Sequence, residues 1–466
     1  MALHPDRLFP ADPGTRSIAR RLYASVEKLP IISPHGHTDP SWYAEDKAFP
    51  DPAALFITPD HYATRMLYSQ GVRLQDLGVA RRDGESVETD PRKIWRLFAA
   101  HFHLFAGTPT RLWFEHSLET VFGITERLSI DTADMLFDRI EAVIPTQQMR
   151  PRALFDRFGI EVIATTDGAL DDLSHHDAVR KSGWHGRVVP TYRPDAVVDP
   201  NVLGFAGNLQ RLFAMTGEPA TWKGYLNAHR ARRAFFKAHG ATATDHGHAT
   251  ARTENLTQAD AAKLFDIVLS GRADAAQAEA FRGQMLTEMA RMSQDDGLVM
   301  QIHPGSYRNH NPALFADFGP DKGADIPKAT DYVHALKPLL DAVGNDSRLT
   351  VILFTLDETA YSRELAPLAG HYPALKLGPA WWFFDSPEGM RRFRETTTET
   401  AGFYNTVGFN DDTRAYLSIP ARHDMARRVD CAYLARLVAD HRLEEEEAFG
   451  LAGELAYGLA KKAYRL

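Results

Sequence analysis

The sequence predicts an α/β fold: a distorted (β/α)8 barrel carrying a large, mostly helical insertion after its first strand. Three observations point to it. Short apolar runs recur along the chain and each breaks off into polar residues; none has a hairpin partner beside it; and helix-length segments separate them, as parallel strands joined by crossovers require. Eight such runs fit a closed barrel better than an open doubly wound sheet.

Thr15 to Lys28 reads as a helix, with Ile18, Leu22 and Val26 at four-residue spacing on one face and Pro30 ending it. Ile31-Ile32-Ser33 is the first candidate strand, leading into Pro34-His35-Gly36-His37. The next are Val162 to Thr165, Val188 to Thr191, and Ala241 to Thr244 after the helix-stopping Gly240. Leu298 to Ile302, Leu349 to Phe354, Ala374 to Leu377 and Tyr404 to Gly408 complete the set. Pro190, inside the third run, is tolerable only where its missing N–H is not needed.

Two intervals are too long for a single crossover. Residues 38–155, with helical stretches at Pro91 to Phe105 and Asp131 to Val143, read as an insertion that contributes to the active site. That leaves 1–37 and 156–466 for the barrel. A second excess, Gly204 to Ala238 and Asn255 to Met292, flanks the fourth run and is also helical in pattern. No internal repeat has a fixed period.

The composition is that of a globular protein, 44% hydrophobic and 24% charged. A formal charge of −8 argues against a nucleic-acid partner, whose phosphates need a basic face. It leaves room for a small anion held by a few arginines in a pocket. Cys431 is the only cysteine, so no intrachain disulfide or thiolate zinc finger can be built, which favours a reducing compartment. The N-terminus lacks a signal-peptide core, and no apolar run reaches the ~18 residues of a membrane span. The expectation is a cytoplasmic enzyme.

A barrel of this kind keeps its chemistry at the C-terminal ends of its strands. The first run ends in His35-Gly36-His37, where residues i and i+2 of extended chain face one side and Gly36 allows close approach. The eighth ends in Asn410-Asp411-Asp412-Thr413-Arg414, and the first and eighth strands are neighbours when a barrel closes. Two imidazoles and a carboxylate meeting there suit zinc or a similar divalent ion, with a coordination position left open.

Other His pairs compete, since the chain has 20 histidines. His101-Phe102-His103 sits in a helical stretch, where i and i+2 diverge. His175-His176 opens a helix and reads as solvated or capping. His246-Gly247-His248, directly after the fourth run, is the better rival. The remaining runs lead into Thr165-Thr166-Asp167, Tyr192-Arg193-Pro194-Asp195, Asp245-His246, His303 and Pro379-Ala380-Trp381-Trp382-Phe383-Phe384-Asp385.

These segments together resemble the uronate isomerases, a branch of the amidohydrolase superfamily. Ser33-Pro34-His35-Gly36-His37-Thr38-Asp39-Pro40 is similar to that family's metal-binding opening, and Asp60-His61-Tyr62 with Arg65 to a segment of its insertion. Thr165-Thr166-Asp167, Tyr192-Arg193-Pro194-Asp195, Thr244-Asp245-His246-Gly247 and Gln301-Ile302-His303 with Arg308-Asn309 follow in order. Ala380-Trp381-Trp382-Phe383 and Asp412-Thr413-Arg414 close the series. Thr355-Leu356-Asp357-Glu358 and Pro304 depart from the pattern.

The resemblance implies interconversion of a hexuronate and its 2-keto isomer, D-glucuronate with D-fructuronate or D-galacturonate with D-tagaturonate, through an enediol. It implies one divalent metal, most simply Zn2+, on His35, His37 and Asp412, and a homo-oligomer. Asp412, Tyr62 and Arg414 become the catalytic candidates. His61, Arg193, His246, His303, Arg308 and Trp381 become the substrate-binding ones. Whether Asp412 can both bind metal and shuttle a proton stays open, and Arg193 has a structural alternative in pairing with Asp195 or Asp167. His-x-His with a late aspartate also serves a metal-dependent hydrolase of an amide or lactone. The absence of a clear bridging lysine after the fourth run, and the arginines, favour the isomerase.

Overall fold

The computed structural model describes residues 3–466. Many of its helices begin with the same local device. In Pro13–Val26, Pro40–Glu45, Pro52–Phe56 and Pro91–His101, an aspartate caps the first turn and a proline follows it. Asp12 accepts from Thr15 N, Asp39 from Ser41 N, Asp51 from Ala54 N and Asp90 from Arg92 N. The carboxylate satisfies an amide with no intrahelical partner, and proline fills a position whose N–H would be idle.

Seven strands appear where apolar runs were expected: β1 (Ile31–Ser33), β2 (Ile160–Ala164), β3 (Arg187–Val189), β4 (Ala243–His246), β5 (Val299–Ile302), β6 (Val351–Leu353) and β7 (Leu375–Leu377). All pair in parallel with their neighbours. Pro190 breaks β3 for the reason anticipated, and the ladder resumes at Tyr192–Arg193, which pairs with Asp167–Gly168 on one side and, through Tyr192, with Thr244 on the other. The eighth run contributes a single parallel bridge, Thr406 to Leu377. Its continuation meets the first run, with Asp412 N–H donating to His35 O (3.2 Å) and His37 N–H to Thr413 O (3.0 Å). The ring is thus completed by loop backbone, which is the distortion in this barrel.

The fourth strand differs from expectation by two residues. Gly240, at φ +96°, ends the preceding helix Trp222–Ala238, and pairing of Ala243 to His246 with Val299 to Ile302 sets the register. Asp245 and His246 therefore lie within the strand and are fully buried.

Between β1 and β2 every regular element is helical. The expected Pro91 to Phe105 helix ends at His101 and tightens into a 3-10 turn over Phe102–Phe105. The apolar cluster of these helices, built on Trp95, Phe98, Phe105 and Phe137, also includes Ile31, Ile160 and Ile163 of the barrel. The other end of the barrel is plugged by the C-terminus: Tyr464 is fully buried with Ala243, Val299 and Ile352, and its hydroxyl donates to Gln301 Oε1 at 3.1 Å. No helix among the described residues is long and apolar enough to cross a membrane.

His176, expected to be solvated, is buried, with Nε2 2.8 Å from Thr165 Oγ1. The same hydroxyl donates to Asp167 Oδ2 at 2.7 Å. Burial pushes the Asp167 carboxyl up to about 7, with Thr165 opposing. The folded chain thus holds this proton up to about pH 7, whereas the unfolded chain releases it near 3.8. Stability from this group is complete below about pH 3.8 and is lost as pH rises towards 7, by about 4 kcal/mol at most. Asp167→Asn should therefore gain thermal stability over the parent progressively from pH 4 to 7, then hold a constant gain. Unfolding curves across that range check this, and a pH-independent difference would exclude it.

Candidate active site

The strand ends open into one cavity of about 1070 Å³, lined among others by His35, His37, His61, Tyr62, Arg193, His303, Arg308, Trp381, Asp412 and Arg414. Nearly all the residues singled out in the sequence meet there. The exception is His246, expected to touch substrate: it is fully buried in β4 and is not among the lining residues, whereas Gly247 and His248 are. His101 and His103 are also excluded, because their rings bond to Leu97 O and Ala100 O of their own turns.

At the floor, Asp412 Oδ1 lies 3.2 Å from His37 Nε2 and 3.5 Å from His35 Nε2. Ligand atoms bound at about 2.1 Å to a tetrahedral ion stand about 3.4 Å apart, close to both Asp412 contacts, and all three ligand atoms lie within 4.8 Å of one another. The tautomer fits as well. His35 Nδ1 is 3.0 Å from Gln301 Oε1, which can only accept, so Nδ1 carries a hydrogen and Nε2 is the nitrogen that would turn its lone pair to a bound ion. Asp412 meets both imidazoles through Oδ1, and no hydrogen bond to its Oδ2 occurs among the described residues. Its carboxyl is buried, which alone would raise it, but His35 and His37 hold it well below the ordinary range.

Asp412 sits at φ +38°, and Asn309, Asp321 and Trp382, all on the cavity wall, also have positive φ. Non-glycine residues rarely adopt this region, and its concentration around one cavity is the pattern of a functional constraint.

Asp245 lies under the floor, 2.9 Å from His303 Nε2, 3.9 Å from His35 Nδ1 and 3.4 Å from Arg193 Nη1. Burial alone would raise its carboxyl, but His303, His35 and Arg193 hold it far below the usual range. Arg193 also donates to Asp195 Oδ2 at 2.8 Å, so the structural alternative for this arginine is realised while its side chain still lines the cavity. Trp381 packs 5.2 Å from the His303 ring and donates from Nε1 to Thr355 O.

The insertion supplies His61 and Tyr62, stacked at 4.8 Å. Burial, then Arg414, lowers His61 to about 3, so its ring is neutral at physiological pH. Burial, then Asp385, raises the Tyr62 hydroxyl well above its ordinary value, keeping it a proton donor. That hydroxyl is 3.4 Å from Asp385 Oδ2, which is ion-paired with the fully buried Arg422 at 2.5 Å. Arg422, stacked 3.6 Å over Trp113, escaped the sequence reading, since one arginine in a long helix (Ile419–Ala439) carries no local mark. At the mouth, Arg414 pairs with Asp321 (3.3 Å) and Arg308 with Asp325 (2.7 Å).

The chain matches the glucuronate isomerase family over residues 14–464. A uronate isomerase of Brucella canis is 70% identical over 466 residues, all of both chains. One of Rhizobium meliloti is 68% identical over 465 residues, covering 100% of this chain and 99% of that protein. The crystal structure of glucuronate isomerase from Caulobacter crescentus superposes with a TM-score of 0.98 at 60% identity, over 100% of this chain and 97% of that one. The barrel hydrolase, the other reading of His-x-His with a late aspartate, finds no support in these relatives. The chain belongs to the uronate isomerase family.

Proposed function

We propose that this isomerase interconverts a hexuronate and its 2-keto isomer, D-glucuronate with D-fructuronate or D-galacturonate with D-tagaturonate, with one zinc ion on His35, His37 and Asp412. The observation that carries the reading is the Asp412 carboxylate on the cavity wall, with Oδ1 facing two imidazoles. When bound, the ion supplies a Lewis acid for the O1/O2 pair.

Asp412 Oδ2 takes the C2 proton and returns it to C1, while the O2 hydrogen passes to O1; two hydrogens move and no redox partner is needed. Tyr62 donates a hydrogen bond to the oxygen that gains charge, and Arg414 offsets the enediolate's charge. Arg193 takes the substrate carboxylate, with His61, His303, Arg308 and Trp381 completing the wall around the sugar. Residues 38–155 act as the insertion that brings His61 and Tyr62 over the barrel mouth. The single, buried Cys431 fits a cytoplasmic setting.

Incubation with each hexuronate in D2O, followed by proton NMR, tests the reading. The expected result is a 2-keto product with deuterium at C1. Failure of both sugars to isomerise in zinc-loaded protein would overturn it. Arg193→Met should raise KM by about tenfold or more with a smaller change in kcat, as expected for loss of a charged hydrogen bond. An unchanged KM would move the carboxylate to Arg308 or Arg414.

A further inference from the structure

The site around Asp412 leaves one motif unused, His246-Gly247-His248. Its two imidazoles and the Asp195 carboxylate bring three ligand atoms within 4.8 Å of one another. His246 is fully buried and His248 is 4% exposed, yet His246 Nδ1 and both His248 ring nitrogens have no hydrogen-bond partner. Buried polar atoms of this kind are costly unless something satisfies them.

The surroundings fix the chemistry of these atoms. Thr244 Oγ1 lies 3.1 Å from His246 Nε2 and 3.4 Å from Val299 O, so this hydroxyl occupies one nitrogen of the His246 ring. With Nε2 engaged by Thr244, Nδ1 is the buried ring nitrogen of His246 left for a ligand. Asp195 is oriented by two donors: Gly247 N–H reaches both carboxylate oxygens at 3.1 Å, and Arg193 Nε reaches Oδ2 at 2.8 Å. Oδ1 keeps lone-pair capacity. Arg193, Arg233 and Arg282 are cations that act on this cluster, and each already faces a carboxylate: Arg193 faces Asp195 and Asp245, Arg233 faces Asp296, and Arg282 faces Asp199. Asp195 and His248 line the cavity, so the cluster is open to solvent and substrate on one side.

We propose that Asp195, His246 and His248 form a second divalent-cation site, with an open coordination position towards the substrate cavity. Two imidazoles and one carboxylate select a borderline ion such as Zn2+ or Co2+ over Mg2+ or Ca2+. Ligands about 2.1 Å from a tetrahedral ion stand about 3.4 Å apart, so binding draws the three side chains together by small rotations. The two sites are linked through the ion-paired series His35–Asp245–Arg193–Asp195. A second ion adds positive charge to the wall of a cavity that receives an anion.

Metal-free protein titrated with Co2+, followed by its visible absorption and by equilibrium dialysis, tests the proposal. The parent should bind two equivalents per chain. His248→Gln and Asp195→Asn should each retain one, with affinity for the other lost by about 100-fold or more. His37→Gln, which disables the first site, should also retain one. Circular dichroism establishes that each variant is folded, and if one is not, the other and the parent stoichiometry decide. A parent that saturates at one equivalent overturns the proposal, as does a folded His248→Gln chain that still binds two. Loss of an equivalent with His248→Gln but none with His37→Gln would instead remove the metal from His35 and His37, leaving this site standing.

Discussion

Asp412→Asn should lower kcat by about four orders of magnitude, the upper end of what a positioned general base contributes, while leaving the fold intact. The amide matches the carboxylate in size, and asparagine tolerates the φ of +38° found here almost as well as aspartate does. The backbone bond from residue 412 to His35 O is also kept. What disappears is the charge that His35 and His37 share at Oδ1 and the basic oxygen at Oδ2. Two measurements separate these losses. Bound metal reports on Oδ1, and exchange of the substrate C2 hydrogen with D2O reports on Oδ2. A folded variant that keeps its metal but no longer exchanges C2–H assigns the proton to Asp412. Near-normal turnover in that variant would remove Asp412 from the proton path.

Tyr62→Phe should cost about 100-fold in kcat with little change in KM, because it removes one donor and no volume. The phenol keeps its proton throughout the usable pH range, so the parent's rate should show no tyrosine ionisation below pH 10. The hydroxyl's one protein neighbour, Asp385, stays paired with Arg422 in the variant, so stability should fall only slightly. Single-turnover kinetics of the folded variant check this. A KM rise with unchanged kcat would make Tyr62 a binding residue, and its hydroxyl would leave the chemistry.

The sequence carried the strands, because each apolar run is local and its polar end is abrupt. Two-residue spacing on extended chain and a barrel's closure also brought His35 and His37 towards a carboxylate of the eighth run; the choice of Asp412 over its neighbour Asp411 came from the family resemblance, and the structure brings the three together. The two-residue shift of β4 was not legible. Its register is set by pairing with Val299 to Ile302, more than fifty residues away in the chain, and it decides that His246 leaves the cavity wall while His248 joins it. The same limit hid Arg422 and its pairing with Asp385, which joins a helix to the loop after the seventh run. It hid Gln301 and Tyr464 too: a C-terminal hydroxyl and the His35 ring meet on one amide oxygen, which selects the imidazole tautomer that can bind metal. Residue types and local spacing thus determined which groups are available for chemistry. Which lone pairs are free, and which charges are already spent on a neighbour, depends on contacts between distant segments, and only packing in three dimensions decides those.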